Sequence, residues 1–179
     1  MSEPFSEIQK RITKDSVIAA LFKLLKNKSF IKITITEITK VAGVSRTAFY
    51  RNFQTKDDIV ICHLNDLFKE LLSKLVEPGC TNKQTRTKAF FSFFLEHRNF
   101  VTILIKADLT PILYEQFCIH VTDFFRHQTD KLSNSILYEK YLPQYIASGL
   151  FKVLIEWVNN GNVESVNEIS NFVFEITGS

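Results

Sequence analysis

Gly43 is the only glycine in the first 78 residues, and its surroundings restrict the possible fold more than any other part of the chain. It stands between two short helical patterns, Glu37–Ala42 and Thr47–Phe53. Glycine ends a helix readily because it adopts a left-handed backbone without strain, and Ser45 can cap the helix that follows. Two short helices joined by so tight a turn predict a helix-turn-helix, a unit that can place its second helix in the major groove of DNA.

The rest of the chain also has helical periodicity, and no segment has the pattern of a strand. Only five glycines and four prolines occur in 179 residues, too few for the frequent tight turns of an all-β fold. We therefore expect an all-α protein of about nine helices, with an N-terminal three-helix helix-turn-helix head and a C-terminal helical bundle. Beyond the two short helices, the predicted helices cover residues 8–27, 55–76, 84–106, 109–132, 138–160 and 164–177.

Short polar residues mark where the helices of the head begin. Thr36 is the expected cap of the second helix, and Ser45 that of the third. Thr55 with Asp58 forms a pattern like a capping box and opens the fourth helix. The chain then breaks at Glu77-Pro78-Gly79, which is its clearest boundary.

The net charge of +3 conceals two oppositely charged parts. Residues 1–56 contain eleven Lys and Arg against four Asp and Glu, a balance of +7, whereas residues 57–179 contain eleven against fifteen, a balance of −4. Basic charge around a helix-turn-helix is expected of a segment that binds a polyanion. We therefore expect a DNA-binding head in 1–56 and a ligand-binding and dimerisation domain in 57–179.

Several other kinds of protein are disfavoured by what the sequence lacks. It has no uncharged apolar run long enough to cross a bilayer and no apolar signal-peptide segment, so we expect a cytoplasmic protein with no membrane partner. Its three scattered cysteines are expected to be reduced rather than to form disulfides or a metal site. No nucleophile–base arrangement or glycine-rich phosphate loop is visible, so we expect no catalytic residues, no cofactor and no metal.

The stretch from Ala42 to Ile59 reads A-G-V-S-R-x-x-F-Y-R-x-F-x-x-K-D-x-I, which resembles the DNA-binding head of TetR-family transcriptional regulators. The resemblance covers roughly residues 10–65. The remainder fits the variable body of this family only loosely, although its end is similar to a subgroup found in low-GC Gram-positive bacteria. Ala48 departs from the pattern, because the family usually has threonine there. The hydroxyl of that threonine normally reaches a DNA phosphate.

The helix that follows Gly43 carries most of the residues expected to touch DNA. Tyr50 can donate its hydroxyl to a DNA phosphate, and Lys56, just after this helix, is suited to contact the same DNA strand. The resemblance supports both roles. Arg46 and Arg51 are able to bind guanine in a bidentate way, and Asn52 could read adenine. A solvated surface is the alternative for Arg51 and Asn52. The full set of expected DNA-binding residues is Ser45, Arg46, Thr47, Tyr50, Arg51, Asn52 and Lys56.

The C-terminal part is rich in phenylalanine, which suits either a bulky helical core or the apolar wall of a small-molecule pocket. The candidate ligand-binding residues are His97, Tyr114, Phe117, His120 and Trp157. The last two helices are apolar around much of their circumference, so they need cover on two sides. The resemblance implies a two-fold dimer with a four-helix interface, and the candidate interface residues are Ile146, Leu150, Val153, Trp157, Val166, Ile169, Val173 and Ile176.

Together these observations predict a sequence-specific DNA-binding transcriptional regulator. As implied by the resemblance, it would be a repressor that binds a palindromic operator in double-stranded DNA as a homodimer, relieved by an apolar or amphipathic small-molecule effector. The alternative is a helical interaction protein or coactivator that has the same fold but no autonomous DNA binding. The missing hydroxyl at Ala48 keeps that alternative open.

Overall fold

The computed structural model describes residues 5–128 and 136–177, and in these ranges the chain forms nine α-helices, one 3₁₀ turn and no strand. The 3₁₀ turn is Phe30–Lys32. The all-α prediction is therefore confirmed. The helices are α1 Phe5–Leu25, α2 Ile35–Ala42, α3 Arg46–Tyr50, α4 Lys56–Leu75, α5 Lys83–Glu96, α6 Arg98–Lys106, α7 Thr110–Gln128, α8 Ile136–Asn159 and α9 Val166–Ile176.

The helix starts confirm two of the three predicted caps. The Ser45 hydroxyl accepts the Ala48 N–H at 3.0 Å, and Thr55 and Asp58 form a capping box. The prediction for α2 is wrong, because the cap is Thr34 rather than Thr36. Thr34 stands three residues before Glu37, so the Glu37 carboxylate can return to the Thr34 N–H, at 2.9 Å, and complete a capping box.

One predicted helix is two helices in the structure. The pattern over 84–106 breaks at His97, whose φ of −96° and ψ of 12° lie outside the helical range. The His97 N–H still donates to the Phe93 carbonyl, and the His97 carbonyl accepts the N–H of Phe100. The break lets α5 pack on α9 while α6 packs on α7 and α8. The predicted end of α7 at residue 132 lies outside the described residues.

Phenylalanine fills much of the core of the C-terminal part. Phe91, Phe94 and Phe117 are completely buried, and Phe90 contacts all three through ring packing. Burying one such side chain stabilises a fold by about 1.5–3 kcal/mol. The interpretation of these residues as a bulky helical core is therefore confirmed. Cys62, Cys80 and Cys118 are partly buried, and no disulfide joins them.

The position of α4 makes it the link between the two parts of the molecule. It packs on α1 in the head and on α5 and α7 in the C-terminal part, and seven of its side chains are buried. The predicted boundary between residues 56 and 57 falls in its first turn, so the division into two domains stays a prediction. No helix in the described ranges combines the length and the apolar character needed to cross a bilayer.

Candidate DNA-binding surface

The turn between α2 and α3 depends on the backbone of Gly43. Its φ of 68° and ψ of 27° are left-handed, a conformation that strains other residues, and its N–H donates to the carbonyl of Lys40. The next N–H, of Val44, donates to the Thr39 carbonyl at 3.1 Å. The Ser45 cap then starts α3 at once, so the structure contains the predicted helix-turn-helix.

The inner side of α3 anchors it to the head. Phe49 is completely buried and Phe53 nearly so, with their ring centroids 5.7 Å apart, and both belong to the main core. The burial of these two rings fixes which side of α3 faces outward. In α2, the buried Thr39 satisfies its hydroxyl by donating to the Thr36 carbonyl at 3.1 Å.

The outer side of α3, together with Arg51 directly after it, presents four of the residues expected to bind DNA. Arg46, Thr47, Tyr50 and Arg51 are all exposed, and each carries a hydrogen-bond donor. Tyr50 is 49% exposed and its ring stands edge-on to Phe49, with centroids 5.3 Å apart, so the buried ring supports the exposed one. Ser45 is also exposed, but its hydroxyl oxygen already caps α3. Contact of these five residues with DNA stays a prediction.

The structure turns the other two expected contact residues towards the protein. The Asn52 amide nitrogen donates to the Ala48 carbonyl at 2.9 Å, and its oxygen is buried with no hydrogen-bond partner in the described part of the chain. The Lys56 ammonium donates to the carbonyls of Phe30 and Ile33, both at 2.7 Å. These internal hydrogen bonds hold both side chains against the protein, and contact of Asn52 or Lys56 with DNA stays a prediction.

An open cleft of about 610 Å³ lies where the end of α3 meets α1 and α4. Its lining includes Tyr50 and Arg51 from the exposed surface, Lys14 from α1, and Asn65 and Lys69 from α4. None of the five candidate ligand-binding residues lines it. Sequence reasoning did not predict this cleft, because it forms only where Lys14 of α1 meets the distant stretch from Tyr50 to Lys69.

Three of the candidate ligand-binding residues share α7 and are linked through neighbouring rings. Phe117 is completely buried between Phe68 and Phe151. Tyr114 packs on Phe151 and its hydroxyl lies 3.0 Å from the Ser148 hydroxyl, while His120 stacks on Phe68. The His120 Nε2 lies 2.8 Å from the Asn65 Oδ1, and burial lowers the pKa of His120.

The other two candidates, His97 and Trp157, lie apart from this group. The His97 ring packs against Phe93 at a tilt of 39°, at the junction of α5 and α6. Trp157 is only 2% exposed, and its indole N–H donates to the Glu164 carbonyl at 2.9 Å, which holds the loop between α8 and α9. Binding of a ligand by any of the five stays a prediction. Within residues 5–128 and 136–177, no group of three or more His, Cys, Asp or Glu could hold a metal ion.

The exposure of α8 and α9 bears on the expected dimer surface, which stays a prediction. Trp157 and Val173 are buried in the protomer's own core, so a second copy would find little of either side chain to contact. The side chains of Ile146, Leu150, Val153, Val166 and Ile169 are half-buried, and Ile176 is 61% exposed. Tyr145 and Phe172, which were not among the candidate interface residues, are large and exposed on the same two helices. Their exposure could not be read from periodicity alone, since both helices are apolar on several sides.

Three rings that sequence reasoning did not connect join the head to the C-terminal part. Phe22 of α1 lies 5.2 Å from His63 of α4 and 5.0 Å from Phe100 of α6 between ring centroids. His63 and Phe100 meet edge-on at 4.7 Å. Burial lowers the pKa of His63, and the charge of His97 lowers it further, against the opposite influence of Asp66 and Asp15.

Two family profiles match the chain. Residues 17–61 match a family described as bacterial regulatory proteins, tetR family. Residues 81–178, more than half of the chain, match a family described as a transcriptional regulator C-terminal region. The first match contains the helix-turn-helix, and the second contains α5 to α9.

Two relatives in sequence are HTH-type transcriptional regulators. One, from Haemophilus influenzae, is 24% identical over 147 residues, which are 78% of this chain and 71% of the relative. The other is YerO of Bacillus subtilis, 26% identical over an alignment of 183 residues that covers 90% of this chain. The alignment spans 62% of YerO, so the chain covers less than two thirds of that relative's length.

Solved structures share the fold over nearly the whole chain. A TetR transcriptional regulator from Streptococcus agalactiae superposes with a TM-score of 0.73 and 19% identity, covering 97% of this chain and 98% of the other. The dihydroxyacetone kinase operon activator DhaS gives a TM-score of 0.62 and 16% identity, covering 92% and 93%. At these identities the likeness shows a common fold.

Proposed function

The chain belongs to the TetR family of bacterial DNA-binding transcriptional regulators, and from this membership we propose that it is a homodimeric repressor, relieved by a small molecule. It acts in the cytoplasm on a palindromic operator. The observation that carries the DNA-binding part is the outer side of α3, where Arg46, Thr47, Tyr50 and Arg51 are exposed together. Phe49 and Phe53 hold the opposite side of α3 in the core.

The roles on this surface follow from the chemistry of each side chain. Tyr50 donates its hydroxyl to a phosphate, and its ring is supported by Phe49. Arg46 and Arg51 carry guanidinium groups that match the acceptors of guanine in the major groove. Ser45 contributes by fixing the start of α3. Thr47, next to Arg46, donates its hydroxyl to the DNA.

The operator is read by two copies of the head. One helix-turn-helix covers few base pairs, so two heads on adjacent half-sites are the usual route to specificity. The exposed Tyr145 of α8 and the exposed Phe172 and Ile176 of α9 support a dimer through these helices. Half-buried Ile146, Leu150, Val153, Val166 and Ile169 border them, and a second copy completes their burial.

The effector is apolar or amphipathic and binds in the C-terminal part, near the aromatic residues of α7. Tyr114, Phe117 and His120 lie along this helix, which packs on α4. A shift of α7 therefore acts on α4 and so on the spacing of the two heads. The effector must bind the conformation with low DNA affinity more tightly, because the coupling between two ligands is reciprocal.

DNA binding is tested first, with a gel-shift assay on the DNA upstream of the protein's own gene. We expect sequence-specific binding that weakens steeply with added salt and falls further in Arg46→Ala. A variant of the exposed Lys152 on α8, Lys152→Ala, is the control and should bind as the wild type does. Absence of any shift, together with tight association of the chain with another regulator, would contradict autonomous binding and favour a coactivator.

The sign of regulation and the effector need their own measurements. A reporter gene behind the same upstream DNA should increase its expression when the regulator is deleted, whereas decreased expression would make the protein an activator. Candidate effectors are screened by thermal shift. A compound that saturates the dimer and leaves operator affinity unchanged would contradict the proposed coupling.

A further inference from the structure

Lys56 occupies a position where a positive charge is unfavourable by itself. It is the first residue of α4, and the partial positive charge of a helix N-terminus repels a cation. The two residues that follow, Asp57 and Asp58, are acidic, as is usual in a first turn. A lysine that precedes them therefore needs partners elsewhere in the fold.

The partners of Lys56 lie in the segment between α1 and α2, residues 26–34, here called the connector. The ammonium donates to the carbonyls of Phe30 and Ile33 at 2.7 Å each and lies 3.4 Å from that of Ile31. It also stands over the Phe30 ring, 4.7 Å from the centroid. The carbonyls concerned are those of the 3₁₀ turn and of the residue that follows it.

The connector in turn determines where α2 begins. Ile33 is 1% exposed and anchors the connector in the core, and Thr34 directly after it caps α2. On the other side, Lys28 binds the Glu37 carboxylate at 2.6 Å. The connector is thus fixed to α2 by one lysine and to α4 by the other.

We propose that Lys56 is a positioning residue, which orients the recognition helix α3 through the connector instead of neutralising a DNA phosphate. A displaced connector moves α2, and α2 carries α3 with it, because only the rigid turn at Gly43 separates them. The hydrogen bonds of Lys56 keep this unit in a fixed relation to α4. The inference rests on the DNA binding of the family, and not on an effector or on the sign of regulation.

The test uses the full chain with Lys56→Met, which keeps an unbranched chain as far as the ε position and removes the ammonium with its charge and its donors. The probes are a duplex selected by the wild-type protein from a random pool and a scrambled duplex of the same composition. At a temperature where the variant is fully folded, we expect affinity for the selected duplex to fall on the order of tenfold, the size of one lost hydrogen bond to a charged group. Affinity for the scrambled duplex and the salt dependence on both duplexes should stay as in the wild type.

Two other results would overturn the inference. A phosphate contact predicts that both duplexes bind more weakly and that the slope of log affinity against log salt falls by about one. A purely stabilising role predicts a lower melting temperature with unchanged affinity in the folded variant. Amide chemical shifts separate these cases further, since loss of positioning must move the signals of Phe30–Ile33 and of Arg46–Tyr50 together.

Two further variants keep the test conclusive. Lys56→Gln restores a neutral donor, so it should recover part of the specific affinity if Lys56 positions the connector and none if its charge meets a phosphate. It also replaces Lys56→Met should that variant fail to fold. Lys23→Met removes an equal charge from the exposed surface of α1 and should leave the affinity for both duplexes unchanged. Failure of DNA binding itself would appear already in the wild type, whereas failure of the positioning role appears only in the Lys56 variants.

Discussion

Neighbouring residues of α3 have opposite roles, which helical geometry assigns. Phe49 and Phe53, which lies in the turn directly after α3, are four apart and share the buried side, whereas Tyr50 and Arg46, also four apart, share the exposed one. This division was predictable from spacing. The inward turn of Lys56 was not, because its acceptors lie 23 and 26 residues earlier in the chain.

Tyr50→Phe tests the predicted phosphate contact with the smallest possible change. It removes one hydroxyl and leaves the edge-on packing against Phe49. We expect operator affinity to fall by about tenfold or more, as one hydrogen bond to a charged phosphate, worth about 1.5–3 kcal/mol, is lost. Fluorescence anisotropy with a labelled operator measures the change.

The control for Tyr50→Phe is Tyr138→Phe on α8, where the tyrosine is similarly exposed but lies far from the head in the chain. It should bind DNA as the wild type does. Equal affinity of Tyr50→Phe and wild type would show that the hydroxyl touches no phosphate, and would leave Tyr50 only the role of a packing residue.

At the scale of the elements, the start of α2 depends on the ionisation of Glu37. The Lys28 ammonium, together with the N–H and hydroxyl of Thr34, lowers the pKa of Glu37 from 4.5 to about 2. A lowered carboxyl pKa contributes stability that is complete above pH 4.5 and is lost as the pH falls towards 2. The melting temperature of Glu37→Gln should therefore lie below that of the wild type at neutral pH, and the difference should shrink in acid.

Glu168 offers a matched comparison, because it forms the same capping box with Ser165 at the start of α9. Its pKa is lowered by Ser165, without a contribution from any lysine. Salt should therefore weaken the effect of Glu37→Gln more than that of Glu168→Gln, since only the first involves an ion pair. A difference between wild type and Glu37→Gln that is the same at pH 7 and pH 2 would contradict this account.

The ring contact between α1, α4 and α6 is expected to weaken in mild acid. Burial lowers the pKa of His63 below its usual value of 6.5, so the unfolded chain binds a proton more readily than the folded one. Stability is then complete above pH 6.5 and decreases as the pH falls below it. Thermal unfolding followed by circular dichroism between pH 8 and pH 5 should show this decrease.

His63→Phe identifies the group responsible. The substitution keeps a ring against Phe22 and Phe100 and removes the titrating nitrogen. It should reduce the loss of stability below pH 6.5 and leave a remainder from His120, whose pKa burial also lowers. An unchanged pH profile in His63→Phe would show that the His63 ring does not control this transition.

Helix starts show which elements were readable from the sequence. Ser45 and Thr55 were predicted correctly because a cap depends on a residue only three positions ahead. The start of α2 was misplaced at Thr36, since two threonines compete there and Glu37 selects the earlier one. The break at His97 was missed because the apolar spacing continues across it, and only the different partners of α5 and α6 require it.

At the scale of the whole molecule, the dimer surface is the feature most open to test. Phe172→Glu places a charge on a side chain that is 50% exposed in the protomer and that a second copy would bury. We expect the variant to be monomeric at concentrations where the wild type is dimeric, because burying an unpaired charge costs far more than burying an aromatic ring gains. Light scattering after size exclusion measures the mass.

Ile119→Glu is the control for this experiment, because Ile119 is 51% exposed on α7, outside the proposed interface. It should remain dimeric. A dimeric Phe172→Glu, or a monomeric Ile119→Glu, would mean that the dimer uses a different surface from α8 and α9.

By itself the sequence determined the all-α class, the helix-turn-helix around Gly43, the basic head and the family. These features follow from spacings within one or two helical turns and from local backbone conformation, which neighbouring residues decide. The tertiary structure decided that Lys56 and Asn52 bond inward, that Trp157 and Val173 belong to the protomer's core, and that rings from three helices join the head to the C-terminal part. Each of these depends on which distant segments meet, and apolar periodicity shows only that a helix face needs cover.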